Sequence, residues 1–236
     1  MSRYLSYDDM EVIAARVLRA YEKLPEVSAT DLLYVDPDLL LRSLLGLKIE
    51  YRHLSAGGLI LGLTAYEEIG IELIGEDGML EWFFFDGKTV LIDKNLHGGR
   101  KNFTIVHEGC HHILKMLFPK DYGSGTDARQ VIQYRDGFNL RDREEWQVNY
   151  LTSLILMPRK LVEQALHLAG IDGRINMLNS VWRRKEYEAF CNMCLLLGVS
   201  KQALSLRMKR LGLLGEDYLA RPNEILDIWK GDDDIG

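Results

Sequence analysis

The sequence contains few cysteines, which cross-link small folds, and few prolines, which interrupt helices and strands, with 3 and 5 of them among 236 residues. So few cysteines, and an odd number of them, exclude a disulfide framework and favour a reducing compartment. No apolar run approaches the roughly 18 residues that span a bilayer. The opening segment, MSRYLSYDDM, also lacks a basic stretch followed by an apolar one. We therefore expect a cytoplasmic protein with no membrane partner.

The sequence also lacks an excess of positive charge. The 29 Lys and Arg residues are outnumbered by 35 Asp and Glu residues, which gives a formal net charge of −6. This balance argues against a molecule that coats nucleic acid over its whole surface. The charge is uneven, however, because residues 174–210 carry a net +6 and the rest of the chain carries −12. The argument against nucleic acid is therefore weaker for residues 174–210.

Hydrophobic spacing divides the chain into helical and strand-rich stretches. Apolar residues three and four apart predict helices over 8–24 and 37–45. Five short segments between residues 47 and 93 are rich in β-branched and aromatic residues, and glycine-containing turns separate them, so they predict an antiparallel meander. Helical spacing returns after Asp93 and ends before Pro119.

The second half of the chain is predicted to be mostly helical. The polar segment 120–141 is predicted to be a long loop, a helix follows at about 143–156, and Pro158 opens another. This pattern predicts an α+β domain over 1–170, a helical appendage over 171–213 and a tail over 214–236.

Two smaller patterns are interpreted as core packing. The aromatic run from Trp82 to Phe85 has apolar residues on both faces, which predicts a strand covered by helices. Cys191 and Cys194 lie three apart on an apolar helix face, and we favour core packing for them over half of a metal site.

The most specific motif is His107-Glu108-Gly109-Cys110-His111, which matches HExxH. Residues four apart on a helix lie one above the other, so both imidazoles can reach one metal ion with Glu108 beside its water. A catalytic zinc site usually has three protein ligands, so a third must come from elsewhere. The metzincin spacing is excluded because positions 114 and 117 are leucines.

A carboxylate from a later helix is the common alternative for the third ligand. We favour Glu145, because helix periodicity places it on the same face as Asn149 and Thr152. Asn149 could then bond a ligand histidine from outside the coordination shell. The adjacent Glu144 is a competing ligand, and a capping pair of Asp142 with Glu145 is the structural alternative.

These residues resemble those of a known family. The stretch RKNFTIVHEGCHHIL, followed thirty-odd residues later by EEWQVNYLTSLILMP, resembles the ImmA/IrrE metallo-endopeptidases. The segment GVSKQALSLRMKRLGLL is also similar, and most of residues 1–213 are consistent with the family. The chain departs from the family pattern at packing positions and at no ligand. These departures are Gly109, Cys110, Val148, Leu151 and Thr152.

The resemblance implies a zincin-like fold with zinc on His107, His111 and Glu145 and with Glu108 as the base. Family members typically cleave a regulatory protein, often a helix-turn-helix repressor encoded beside them on a mobile element or in a stress circuit. The alternative is a non-catalytic regulator that keeps the fold and binds protein or DNA. The intact Glu108 favours the enzyme, because a purely structural zinc site does not need it.

Two further features of a peptidase are predicted less directly. By analogy of fold, the strand at residues 88–93 is a candidate edge to which an extended substrate could add as a strand. A donor to the oxyanion is also needed, and His97, Tyr150 and Tyr122 are the available polar candidates.

The basic segment near the end resembles a helix-turn-helix, with Gly198 in the turn and Ser200 as the cap of the second helix. Its basic side chains could contact phosphate. They are Lys201, Arg207, Lys209 and Arg210. We favour packing on the catalytic domain over DNA binding, because the acidic remainder of the chain would weaken attraction to DNA.

Overall fold

The computed structural model describes residues 4–27, 33–55, 58–75, 78–122, 132–136 and 143–222. The chain divides into two compact units, Met1–Leu156 and Met157–Gly236. The helix Arg159–Leu168 belongs to the second unit, whereas the sequence placed it before a boundary at residue 170. Its apolar face packs against the later helix Arg184–Leu197, and this contact assigns it to the second unit.

The described part of the first unit contains four helices. They are α1 (Tyr7–Tyr21), α2 (Pro37–Leu39, continued by a π-helical turn at Leu40–Leu44), α3 (Gly98–Leu117) and α4 (Arg143–Leu156). Helix α1 begins at a capping box, in which the Ser6 side chain accepts a bond from the Asp9 amide and Asp9 accepts one from the Ser6 amide. Asp36 caps α2 in front of Pro37. The helices predicted over 8–24 and 37–45 are therefore present with nearly the expected bounds.

Six strands complete the first unit. They are β1 (Lys48–Arg52), β2 (Ile60–Ala65), β3 (Glu68–Ile74), β4 (Leu80–Asp86), β5 (Thr89–Asp93) and β6 (Ile132–Asp136). Four of them form a sheet in the order β1-β5-β2-β6, and β3 pairs with β4 in a separate hairpin. The α+β class is confirmed. The simple meander is wrong, because β1 and β5 pair in parallel and the hairpin leaves the sheet between β2 and β5.

The position of β5 corrects the prediction that residues 88–93 form an edge. Strand β5 lies between β1 and β2, and all five of its residues are buried. The edge was expected by analogy of fold, but the parallel pairing with β1 and the antiparallel pairing with β2 cover both sides of β5. Among the described strands, β1 and β6 occupy the two edges of this sheet.

Strand β6 lies inside the segment 120–141 that the sequence predicted to be a loop. It pairs antiparallel with β2, with Leu63 opposite Tyr134. A five-residue strand offers too few alternations to be recognised by pattern alone. The rest of the predicted loop, residues 123–131 and 137–141, lies outside the described residues.

The aromatic strand β4 also differs from the prediction, because it is covered on one face only. Phe83 and Phe85 pack against the core residues Leu63 and Leu91 of the sheet. Trp82 and Phe84 point the other way and are 63% and 71% exposed. The inner face of the hairpin packs on the sheet, and this contact buries the core residues of the hairpin.

The second unit is built from three helices and a small parallel sheet. The elements are α5 (Arg159–Leu168), β7 (Ile175–Leu178), α6 (Arg184–Leu197), α7 (Lys201–Arg210) and β8 (Leu214–Asp217). Gly198 ends α6 with a φ of 62°, and the Ser200 hydroxyl caps α7. The helix-turn-helix prediction for this region therefore matches the local geometry.

Among the described residues, no single helix is long and apolar enough to cross a membrane. The helices α6 and α7, bent by 101° relative to each other, form the one pair whose combined length and composition would suffice.

Residues from 214 onward were expected to be a tail, but β8 pairs with β7 in parallel. Gly215 permits this pairing, because a Cβ at that position would collide with the carbonyl oxygen of Asn176. A short strand that contains glycine and two acids has almost no apolar pattern, so no spacing of apolar residues predicts it. The terminal GDDDIG lies outside the described residues.

Most of the basic side chains considered for phosphate contact have partners within this unit. Arg207 is buried, and its Nε donates to the Met157 carbonyl at 2.9 Å. Lys201 donates to the Tyr187 hydroxyl at 2.7 Å, and Lys209 lies 3.3 Å from Asp217. These contacts give the three cations a role in the packing of the unit itself.

Candidate metal centre

The HExxH segment lies in the middle of α3, and all five of its residues are buried. Helix α3 packs against α4, β2 and β5, so the motif lies inside the first unit. Gly109 allows the close approach of α2, because a Cβ there would lie 2.8 Å from Leu41 Cδ1. The side chains of His107 and His111, one turn apart, face α4 from this position.

Helix α4 brings Glu145 to both histidines. Glu145 Oε2 lies 3.2 Å from His107 Nε2, and Glu145 Oε1 lies 3.1 Å from His111 Nε2. The two Nε2 atoms are 3.2 Å apart. Among the described residues, these three side chains form the one group whose ligand atoms could hold a metal ion.

The donor set and its spacing fit zinc. Two imidazoles and one carboxylate form a donor set found in catalytic zinc sites, which keep a fourth position for water or substrate. Tetrahedral bonds of 2.0–2.1 Å place neighbouring ligand atoms about 3.3 Å apart. The two Nε2 atoms are 3.2 Å apart and each lies 3.1–3.2 Å from one oxygen of Glu145, which is close to that requirement.

Glu144 and Glu145, which the sequence left as competitors, take different positions. Glu145 faces the Nε2 atoms, whereas Glu144 Oε1 lies 3.6 Å from His111 Nδ1, on the far side of the same ring. A carboxylate beside that second nitrogen fixes the tautomer and orientation of a ligand histidine. The sequence proposed Asn149, which lies one turn beyond Glu145 on α4, as the partner of a ligand histidine, and that role stays a prediction. Beside His111 Nδ1 the structure places Glu144.

The charges at the centre favour a cation. Burial by itself lowers the pKa of His111, but contacts with Glu144, Glu145 and Glu108 outweigh burial and raise that pKa to about 10. Burial raises the pKa of Glu145, yet the two imidazoles more than offset it, so the pKa falls below its ordinary value. Three carboxylates therefore converge on two imidazoles in a buried place, which is a negative environment for a positive ion.

Glu108 is fully buried and lies against strand β2. A Cβ at Gly62 of β2 would overlap Glu108 Oε1 and lie 2.9 Å from both Glu108 Cδ and Thr104 Cγ2. Gly62 has no positive φ, so the requirement for glycine comes from this close approach and not from the backbone conformation. The sheet thus sets the position of the Glu108 carboxylate.

Tyr66, which the sequence analysis did not identify, also belongs to this region. Its ring contacts the His112 ring at 5.3 Å, and Lys115 Nζ lies 5.5 Å from its centroid. Among the described residues, its buried hydroxyl oxygen makes no hydrogen bond. Burial and then the charges of Glu144, Glu108 and Glu145 raise the pKa of Tyr66 well above its usual value. Tyr66 follows β2 in a turn, where no sequence pattern marks it as functional.

The neighbouring His112 has a structural contact. Its Nε2 lies 2.6 Å from Thr64 Oγ1, which joins α3 to β2. Burial, followed by the nearby His111, lowers the pKa of His112 to about 4, so this ring is neutral near pH 7.

The three predicted oxyanion donors occupy different places. His97 is the exposed N-cap of α3, ten residues and therefore about 15 Å along the helix axis from His107. The Tyr150 ring packs on Tyr7 at 5.1 Å and on Trp146 at 5.8 Å. The buried Tyr122 hydroxyl donates to Gln147. Of the three, Tyr122 is the one that interacts electrostatically with Tyr66.

Comparison with known families is consistent with this geometry. A family model described as Peptidase_M78, the IrrE N-terminal-like domain, matches residues 67–209. The match covers more than half of the chain and includes the HExxH segment and Glu145. None of the curated proteins matches the sequence.

We expect Glu144→Gln to weaken zinc binding about 10- to 100-fold, because it removes the charge beside His111 Nδ1 while leaving all three ligands. Affinity is measured by titration against a chelator of known strength. Glu11→Gln, which makes the same change at an exposed position on α1, is the control. An affinity for Glu144→Gln equal to that of the control would show that Glu144 does not support the site.

Proposed function

The chain belongs to the IrrE N-terminal-like peptidase family, and on that premise we propose that it is a zinc-dependent endopeptidase that cleaves a regulatory protein. The family points to a metallopeptidase, and a group of two histidines and a glutamate could hold the metal. The resemblance of the two motif segments to the ImmA/IrrE peptidases supports the substrate class. The substrate we propose is a helix-turn-helix repressor of a mobile element or stress circuit.

The observation that carries the proposal is the position of Glu108. Its carboxylate is fully buried, adjacent in sequence to the ligand His107 and held against Gly62. Burial of a carboxylate is costly, and a site that only stabilises the fold does not need one that binds no metal. A non-catalytic regulator that keeps the fold would have no use for Glu108, so the enzyme is better supported.

Each residue of the candidate site has a separate role in the proposed reaction. His107, His111 and Glu145 would hold the ion. When bound, zinc supplies Lewis acidity that acidifies water and polarises the scissile carbonyl. Glu108 accepts the proton of the attacking water and returns it to the leaving amine. Glu144 keeps the His111 ring in one orientation.

Tyr66 is the best-placed donor to the oxyanion. Its hydroxyl is buried near Glu108 and makes no hydrogen bond among the described residues. Since the pKa of Tyr66 is raised, the phenol keeps its proton and can donate it to negative charge that develops on the substrate oxygen. His112 and Lys115 contact the ring of Tyr66 and hold it in place. The hydroxyl group bonds to none of the described residues and is therefore able to donate to the substrate.

The central test compares Glu108→Gln with the wild-type chain. We expect both proteins to bind one equivalent of zinc, and we expect the variant to cleave at least about 100-fold more slowly, because its general base is lost. Zinc is measured by mass spectrometry. Cleavage is followed on the purified repressor encoded beside the gene, and new protein N-termini are mapped in cells that express either form. Equal cleavage by both forms would contradict the proposed role of Glu108.

We expect Tyr66→Phe to lower kcat about 100- to 1,000-fold with little change in KM or zinc content, because one oxyanion donor is removed. Tyr51→Phe removes a phenol that is 41% exposed on β1 and serves as the control. The measurement is steady-state kinetics on a peptide that spans the cleavage site. A wild-type kcat in Tyr66→Phe would eliminate this residue as the donor.

We expect Gly62→Ala to reduce kcat by at least about tenfold, because the added Cβ displaces the Glu108 carboxylate. The metal ligands are not touched, so zinc content stays at one equivalent. Gly46→Ala, at a turn where a Cβ meets nothing within 4 Å, controls for the general cost of replacing a glycine. Activity retained by Gly62→Ala would show that the contact with β2 does not position the base.

A further inference from the structure

The hairpin of β3 and β4 presents an exposed aromatic face that the proposed chemistry does not use. Leu80, Trp82 and Phe84 alternate along β4, and they are 67%, 63% and 71% exposed. Phe83 and Phe85 face the sheet and are more buried, whereas Glu81 is exposed and lies 3.5 Å from Arg52. Contiguous exposed apolar side chains are uncommon on soluble proteins, and where they occur they mark interaction surfaces.

The face is ordered by its own contacts. The rings of Trp82 and Phe84 are stacked with centroids 6.1 Å apart and an interplanar angle of 20°. Phe84 lies opposite Gly70 of β3, and a Cβ at Gly70 would lie 2.9 Å from the Phe84 ring. The ring therefore rests on the glycine backbone. Aromatic side chains held in this way lose little conformational entropy on binding.

The hairpin itself carries charge of one sign, because residues 66–87 contain seven acidic side chains and neither lysine nor arginine. Two of these carboxylates pair with cations of β1, since Arg52 lies 3.5 Å from Glu81 and Lys48 lies 3.0 Å from Asp86. Glu72 lies directly opposite Trp82, and Glu68 lies four residues earlier on the same face of β3. Within the described part of the chain, neither Glu68 nor Glu72 forms an ion pair.

We propose that this face, formed by Leu80, Trp82 and Phe84 with Glu68 and Glu72, docks a basic, arginine-bearing surface of the protein substrate. The proposal rests on the proposed peptidase function and locates where its substrate binds. Arginine guanidinium groups stack on exposed aromatic rings and pair with carboxylates at the same time. Nucleic acid and anionic membranes are repelled by the same carboxylates.

The hairpin is also directly joined to the active site. Strand β3 begins two residues after Tyr66. At the other end, Gly87 follows β4 with a φ of 72°, and a Cβ there would lie 2.9 Å from the Tyr66 carbonyl oxygen. Both ends of the hairpin thus meet at the residue proposed to face the substrate oxygen. A protein held on the outer face would lie beside the catalytic residues.

The test is the double variant Trp82→Thr with Phe84→Thr, which removes the rings and keeps residues that favour a strand. Two substrates are compared: the folded repressor encoded beside the gene and a short peptide that spans its cleavage site. We expect KM for the folded repressor to rise about 10- to 30-fold, with kcat and cleavage of the short peptide unchanged. We also expect Glu72→Lys to raise KM for the folded repressor.

Matched controls separate docking from folding and general charge effects. Trp182→Thr removes an aromatic side chain of similar exposure outside the hairpin, and Glu22→Lys reverses an exposed charge on the C-cap of α1. Neither should change KM. An unchanged KM in the double variant, or an equal loss on the short peptide, would overturn the proposal. It would also be overturned if the double variant abolished self-association of the chain without changing KM.

Failure of the proposed function gives a different result. If the wild-type chain cleaves neither substrate, the affinity of Glu108→Gln for the folded repressor replaces KM as the measurement. A loss of affinity of at least about tenfold on adding Trp82→Thr and Phe84→Thr would support the docking surface without catalysis. The same affinity with and without the two substitutions would overturn it.

Discussion

The packing of α4 on α3 is the contact on which the metal centre depends. It brings one carboxylate within 3.1–3.2 Å of two imidazole nitrogens that come from a different part of the chain. Small side chains pack closely at this interface next to the ligands. Thr152 of α4 donates to the Val148 carbonyl at 2.8 Å and contacts Cys110 Sγ of α3 at 3.4 Å. Burial raises the pKa of Cys110 to about 12, so its thiol stays protonated and serves as packing next to the ligands. A shift of about 1 Å at this interface would separate Glu145 from the histidines, because metal–ligand distances are fixed within a few tenths of an ångström.

The same packing places three carboxylates around two buried imidazoles, which is costly unless the charges are balanced. Glu145 and Glu144 flank His111 on opposite sides of its ring, and Glu108 is held by β2 at Gly62. The arrangement favours a bound cation. On the proposed function, Glu145 would bind the ion, Glu144 would orient His111 and Glu108 would move a proton. A helix pair and one strand hold these carboxylates, and the hairpin that follows Tyr66 leaves its outer face exposed.

The sequence predicted what depends on local spacing and missed what depends on long-range pairing. The spacing of His107 and His111 on one helix face was sufficient to bring both to the site, and helix periodicity correctly favoured Glu145 as the member of the candidate ligand group. The roles of Glu144 and Tyr66 could not be predicted, because they are set by how α4 and β2 meet α3. For the same reason, β-branched and aromatic residues between glycine-containing turns indicated that β4 and β5 are strands but not which neighbours cover them. Trp82 and Phe84 proved exposed, and β5 proved central.

The proposed zinc ion on His107, His111 and Glu145 can be observed by X-ray absorption at the zinc edge of the purified wild-type chain. We expect one zinc per chain, with a shell of nitrogen and oxygen atoms at about 2.0–2.1 Å and no sulfur. A sulfur shell at about 2.3 Å would instead place the ion on cysteines such as Cys191 and Cys194. That result, or a chain that binds no zinc, would show that these three residues do not form a zinc site.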